Sequence, residues 1–178
     1  MSSSSNHHPV QSQRRLGRGM IALAWIAALG LLWLVFEDVI ERRYNPNRDL
    51  RVSEGGGELV LKRNRAGHYV APGTINGQAV TFLLDTGATQ VSVPAHLGAA
   101  LGLAPGAPAQ VLTANGTVTV RTTTIDELGL GPFRVANVRG HLNPGMRDDQ
   151  VLLGMSVLRQ LEFTQRGDTL TLRAAEAY

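Results

Sequence analysis

Four residues, Thr81-Phe82-Leu83-Leu84, carry an apolar, strand-like run up to a single carboxylate, Asp85, which opens the turn Thr86-Gly87-Ala88. Burying a charge at the end of an apolar strand is costly, so such a group needs partners or a task. The plain reading of Asp-Thr-Gly is a strand-ending turn in which the aspartate bonds its neighbours' amides. The chemical reading is a carboxylate held ready to move a proton. The rest of the chain offers little competition. Asp126-Glu127 and Asp148-Asp149 lack an apolar strand before them and a Thr-Gly after them, and read as solvated turn residues. His68, His96 and His141 are dispersed, with no two at metal-ligand spacing, and His7-His8 lies in a polar tail. The absence of cysteine excludes disulfides, thiolate metal sites and a cysteine nucleophile. No Gly-x-Ser-x-Gly elbow or phosphate loop occurs and Ser92 has no recognisable base, so neither metal nor cofactor is expected.

A second motif gives Asp85 its context. About 65 residues further on, Val151-Leu152-Leu153-Gly154-Met155-Ser156-Val157-Leu158 reads as an apolar strand, a glycine and a short helix. Between the two lies a hairpin candidate, Val111-Leu112-Thr113-Ala114-Asn115-Gly116-Thr117-Val118. This order of carboxylate turn, hairpin and apolar-apolar-Gly-helix resembles the retropepsin-like aspartic proteases, in particular their membrane-anchored bacterial members. The resemblance covers nearly all of residues 66–173, including the Gly73-Thr74-Ile75-Asn76-Gly77 hairpin.

The resemblance implies a mainly β fold, a closed retropepsin-like barrel, and a role for each matching residue. Asp85 is the implied catalytic aspartate. Thr86 braces two such turns against each other, Gly87 brings its amide close to the carboxylate, and Ala88 completes the turn. Thr113, Ala114, Asn115, Gly116 and Thr117 form a flap over substrate, and Leu152, Leu153 and Gly154 pack beneath the site. Aspartic-protease chemistry takes two carboxylates that share one proton across a water. With one Asp-Thr-Gly per chain, the second carboxylate must come from a second copy, so a two-fold homodimer is expected. The expected substrate is a peptide or protein bound extended in a cleft that spans the dimer. A rival from another class is the same fold without catalysis, a module that binds peptide or protein.

Short β-branched runs separated by turn signals are the elements that would position these residues. Strands are expected at 58–63, 68–75, 78–84, 90–93, 109–114, 117–125, 133–142, 150–153, 161–165 and 168–173. Asn76-Gly77, Asn115-Gly116 and Gly167-Asp168 mark hairpin turns between them. Short helices are expected at 95–101 and 155–160.

The N-terminal third is different in kind. Residues 1–19 read as a disordered tail, and Met20 to Phe36 is an uncharged apolar run spanning about 26 Å as a helix, enough to enter the range of a membrane span. Arg14, Arg15 and Arg18 precede it, whereas Glu37 and Asp38 follow it, which places the N-terminus in the cytoplasm. The run is too long for a signal-peptide core and lacks a small-x-small cleavage site at its end, favouring an uncleaved anchor. Residues 37–57, ending in Gly55-Gly56-Gly57, read as a flexible linker, open to self-cleavage. Residues 58–178 form the protease-like domain. The expected location is a single pass through the inner (plasma) membrane with that domain periplasmic or otherwise extracytoplasmic. The net charge of +3 lies in the arginines before the span, and the remaining 14 basic residues balance 14 acidic ones. A balanced domain has no field to gather phosphates, so nucleic acid is not an expected partner.

Overall fold

The computed structural model describes residues 10–52, 57–113 and 116–175, and divides into one unit up to Glu41 and another from Arg42 onward. Helix α1 (Val10–Tyr44) makes up the first unit and ends just inside the second. Its Gly19–Glu37 segment, with a mean hydropathy of 2.3, is long and apolar enough to cross a membrane. The large apolar side chains from Met20 to Phe36 are exposed. The helix outruns the expected 20–36 span at both ends. Residues 10–19 of the expected tail and 37–44 of the expected linker are helical, and residues 1–9 lie outside the described residues. Once nucleated, a helix propagates cheaply through Gln, Arg and Glu, and this one stops at Asn45-Pro46, where proline forbids another turn.

The second unit is mainly β. A four-stranded sheet runs in the order β1 (Arg51–Val52), β2 (Glu58–Lys62), β11 (Thr169–Ala174), β10 (Leu161–Arg166). A seven-stranded sheet runs β3 (Tyr69–Ile75), β4 (Gln78–Leu84), β9 (Gln150–Leu153), β5 (Val91–Pro94), β8 (Phe133–Asn143), β7 (Gly116–Leu130), β6 (Pro108–Thr113). β3 also pairs with β7, from Gly73 opposite Leu130 to Ile75 opposite Leu128. Helix α2 (Met155–Leu158) follows β9. Leu59, Leu61, Phe82, Val91, Val93, Ile125, Leu153 and Leu172 are each 0% exposed and belong to one apolar core that takes in strands of both sheets. Their alternation with more exposed neighbours, as in β2, is the period-2 pattern of strands with one face buried.

Turn chemistry fixes the registers. Asn76 and Gly77 have φ of 49° and 78°, the left-handed pair that a tight two-residue hairpin needs, and Ile75 stands opposite Gln78. Gly167, at φ 61°, does the same for β10 and β11. Three expectations are corrected. Of 95–101 only Ala95–Leu97 makes a single tight helical turn; Gly98 is buried, and a Cβ there would meet Leu142 Cδ2 at 3.1 Å. The later helix stops at Leu158 instead of 160. β7 continues past 125 to Leu130, so Asp126 and Glu127 are strand residues, their amides donating to Asn76 Oδ1 at 3.1 Å each.

Part of the expected linker is built into the β unit. Asn47 is only 4% exposed; its Nδ2 donates to the carbonyls of Lys62 (2.9 Å) and Val70 (2.7 Å), and its Oδ1 accepts from Lys62 N at 2.6 Å. Those backbone groups belong to β2 and β3, so one asparagine ties the smaller sheet to the larger. Arg51 and Val52 then pair with Val60 and Leu59. Residues 53–56, which include Gly55 and Gly56, lie outside the described residues.

Candidate active site

β4 delivers Asp85. Its neighbour β9 runs parallel to it, with Leu83 opposite Leu152 and Leu84 opposite Leu153, and the Asp85 amide donates to the Leu153 carbonyl at 3.1 Å. The chain then reverses within Thr86-Gly87-Ala88. Gly87 N donates to Asp85 Oδ1 at 2.8 Å, and Ala88 N to the Asp85 carbonyl at 3.2 Å. A Cβ on Gly87 would stand 3.1 Å from that same Oδ1, so the glycine keeps the carboxylate uncrowded while bonding it. Asp85 is half-buried, and no other described residue donates a hydrogen bond to its carboxylate. Thr86 is exposed, and its hydroxyl bonds to none of the described residues.

The apolar-apolar-glycine motif holds this turn from below. Leu153 is 0% exposed, Leu152 half-buried and Gly154 buried. A Cβ on Gly154 would collide with the carbonyl oxygens of Gln90 (2.5 Å) and Ala88 (2.7 Å), so only glycine lets the two segments touch. Immediately after it, Met155 N donates to the Ala88 carbonyl and Ser156 N to the Thr89 carbonyl, at 2.8 and 2.9 Å. The turn is thus stitched on both flanks.

Of the expected flap, Thr113 stands opposite Gly116 where β6 meets β7, and its hydroxyl donates to the Gly116 carbonyl at 2.7 Å. Thr117 pairs with Leu112, while Ala114 and Asn115 lie outside the described residues. Leu112 is 83% exposed, an open apolar side chain next to the hairpin's tip.

Sequence reasoning missed several neighbours of Asp85. A recess of about 230 Å³ is lined by Asp85 and Thr86 together with Arg63, His68, Tyr69 and Phe163. Arg63 lies over the Tyr69 ring, 5.4 Å from its centroid, and its Nε is buried with no hydrogen-bond partner. No sequence signal pointed to Arg63, which lies 22 residues before Asp85, beyond the span of any local motif. A larger recess of about 700 Å³ lies elsewhere, over Thr122, Thr124, Asp126, Arg139 and His141. Burial holds the His141 imidazole below its ordinary pKa. His96 and Asp149 meet at 2.8 Å on the surface, which gives Asp149 a partner beyond solvent. Among the described residues no three histidine or carboxylate side chains gather as metal ligands.

A strand-borne Asp-Thr-Gly buttressed by an apolar-apolar-glycine strand is the arrangement of an aspartic-protease type of site. The chain belongs to the retropepsin-like aspartic protease family. The family described as "gag-polyprotein putative aspartyl protease" matches residues 71–160. The crystal structure of a retropepsin-like aspartic protease from Rickettsia conorii is similar, with a TM-score of 0.57 and 31% identity, over 66% of this chain and 91% of that one. An uncharacterized protein in the cobV 5′ region of a Sinorhizobium species is 31% identical over 92% of this chain and 77% of its own length. The uncharacterized protein RP867 of Rickettsia prowazekii is 28% identical over 60% of this chain, which spans less than half (46%) of that relative.

Proposed function

We propose that this chain is a membrane-anchored aspartic endopeptidase that works as a homodimer, with Asp85 of each copy supplying one carboxylate. The observation that carries this reading is the half-buried Asp85 carboxylate, bonded through one oxygen to Gly87 N at 2.8 Å. That leaves it one partner short of a dyad. One carboxylate takes a proton from water as the water oxygen attacks the scissile carbonyl carbon. The other, protonated, donates to the carbonyl oxygen, and the pair then returns a proton to the departing amine. The uncommitted Thr86 hydroxyl supports its role as a brace between two such turns, with Gly87 and Ala88 shaping the turn. The Thr113–Thr117 hairpin is read as the flap, and Leu152, Leu153 and Gly154 as the floor. The β3–β7 pairing supports reading the larger sheet as a closed barrel.

The arginines before Met20 and the acids after Phe36 support an N-terminus in the cytoplasm, with residues 58–178 exported. Purified full-length chain in detergent, incubated with a peptide library, tests the activity. Cleavage is expected, is blocked by a pepstatin-type inhibitor, and falls by at least about 10²–10⁴-fold in Asp85→Asn, whose amide cannot take up the proton. Peptide binding without cleavage by folded wild-type chain would establish the binding-module reading instead.

A further inference from the structure

The recess of about 700 Å³ shares no lining residue with the recess of Asp85. Its floor lies where β5, β8 and β7 run side by side in the larger sheet. Thr122 stands opposite His141 and Thr124 opposite Arg139, while Gln90 immediately precedes the Val91–Gly140 pair. Alternate strand residues share a face, so Thr122, Thr124 and Asp126 lie beside His141 and Arg139 on one side of the sheet. Residues 102–106 form a wall. Gly106 N donates to the Thr122 carbonyl at 2.7 Å, the Thr123 hydroxyl to the Ala104 carbonyl at 2.9 Å, and Leu103 N to the Gly98 carbonyl at 2.9 Å. The wall is thus held in place, and Gly102, Ala104 and Gly106 put almost no side chain into the space beside it. A preformed recess of this size falls within the about 300–1,000 Å³ of small-ligand sites.

Two opposite charges line it, and neither is used. Arg139 and Asp126 are exposed, and neither side chain has a hydrogen bond or ion pair with the described residues. The Thr124 hydroxyl and the Gln90 side-chain amide are likewise unbonded among the described residues. Arg139 and Asp126 are diagonal neighbours on paired strands, a separation of about 7–8 Å that leaves room for a ligand between their charged ends. Burial disfavours the charged form of His141, so Arg139 is the cation of this recess at neutral pH. A simple anion drawn to Arg139 would be repelled by Asp126, and a simple cation drawn to Asp126 would be repelled by Arg139. A molecule that carries both charges satisfies both residues. We infer that this recess binds a small zwitterion, a free amino acid or short peptide, with its carboxylate on Arg139 and its ammonium on Asp126. The arginine fork matches a carboxylate in two parallel hydrogen bonds. Thr124 and Gln90 are placed to bond the peptide groups between the two ends. The inference is independent of the protease reading, because neither Asp85 nor its turn takes part.

The test is calorimetric titration of full-length Asp85→Asn chain in detergent, a background in which turnover adds no heat. Trialanine with free termini is expected to bind saturably. Its C-terminal amide and its N-acetyl form, each lacking one charge, are expected to bind about tenfold or more weakly, the scale of a lost charge-assisted hydrogen bond. Arg139→Gln and Asp126→Asn, both at exposed positions, are expected to fold as the parent does and to weaken trialanine binding similarly. The pairing of charges gives a sharper signature. Arg139→Gln should no longer distinguish trialanine from its amide, and Asp126→Asn should no longer distinguish it from the acetylated form. Alanine titrated in the same way separates the two sources: tighter binding of trialanine identifies a peptide site, and tighter binding of alanine an amino-acid site. No saturable binding of either probe into the tens of millimolar would overturn the inference. So would binding that ignores both substitutions, or binding in which each variant still tells the blocked peptides apart as the parent chain does.

Discussion

Gly87 matters through what it lacks. A methyl group there would press on Asp85 Oδ1 from 3.1 Å, so Gly87→Ala is expected to disturb the carboxylate without disturbing the core. Peptide hydrolysis should drop by about 10–100-fold while the melting temperature holds, because small misplacements at a reacting group are costly. His141 acts on stability. Its folded pKa lies below the ordinary 6.5, so as pH falls below 6.5 the unfolded chain binds the proton first. The penalty is absent above 6.5, grows as pH falls through that value, and levels off below the folded pKa. His141→Gln should therefore flatten the decline of stability in this window, measured as urea midpoints at pH 7.5, 6 and 5. The turn geometry of Asp85 and Gly87 was legible in the sequence because it is local, packed into three letters. Asn47 was not. Its neighbours along the chain are turn formers, and its role comes from bonds to strands 15 and 23 residues away.

At the scale of elements, β9 and α2 form the buttress, and Gly154 is the point of contact. Gly154→Ala drives a Cβ into two backbone carbonyls, which cannot rotate away as a side chain could. It should cost about 1–3 kcal/mol of stability, read from denaturant midpoints, and activity should fall with it. Leu112 is the opposite case. At 83% exposure it contributes little to folding, so Leu112→Ser should leave stability within about 0.5 kcal/mol. If the hairpin closes over substrate, the same change should raise KM with kcat nearly unchanged. The hairpins were legible because Asn-Gly and Gly-Asp dictate backbone angles that few other pairs tolerate. The end of β7 was not. Asp126 and Glu127 look like loop residues until Asn76, 50 residues earlier, binds their amides and keeps the strand running.

For the whole molecule, the proposed dimeric mechanism makes activity a property of concentration, because each chain carries one Asp-Thr-Gly turn. Diluted chain in detergent should lose specific activity below its dissociation constant, and confinement in a bilayer should restore it by raising the local concentration. Assays across a dilution series, in detergent and in vesicles, check this. Topology is checked by reporter fusions at Tyr178, which should be active outside the cytoplasm. The mainly β architecture was legible from short β-branched runs between turn signals, whereas the length of α1 was not, because its polar flanks carry no periodic signal. The Asn47 contact also sets where the chain can be cut. Severing it before Asn45 would leave a β unit that keeps both sheets fastened together. Severing it within the glycine run would discard Asn47 and β1 and leave Lys62 N and its neighbouring carbonyls without their partner. Shedding at the first point should yield a durable β unit, and at the second a short-lived one.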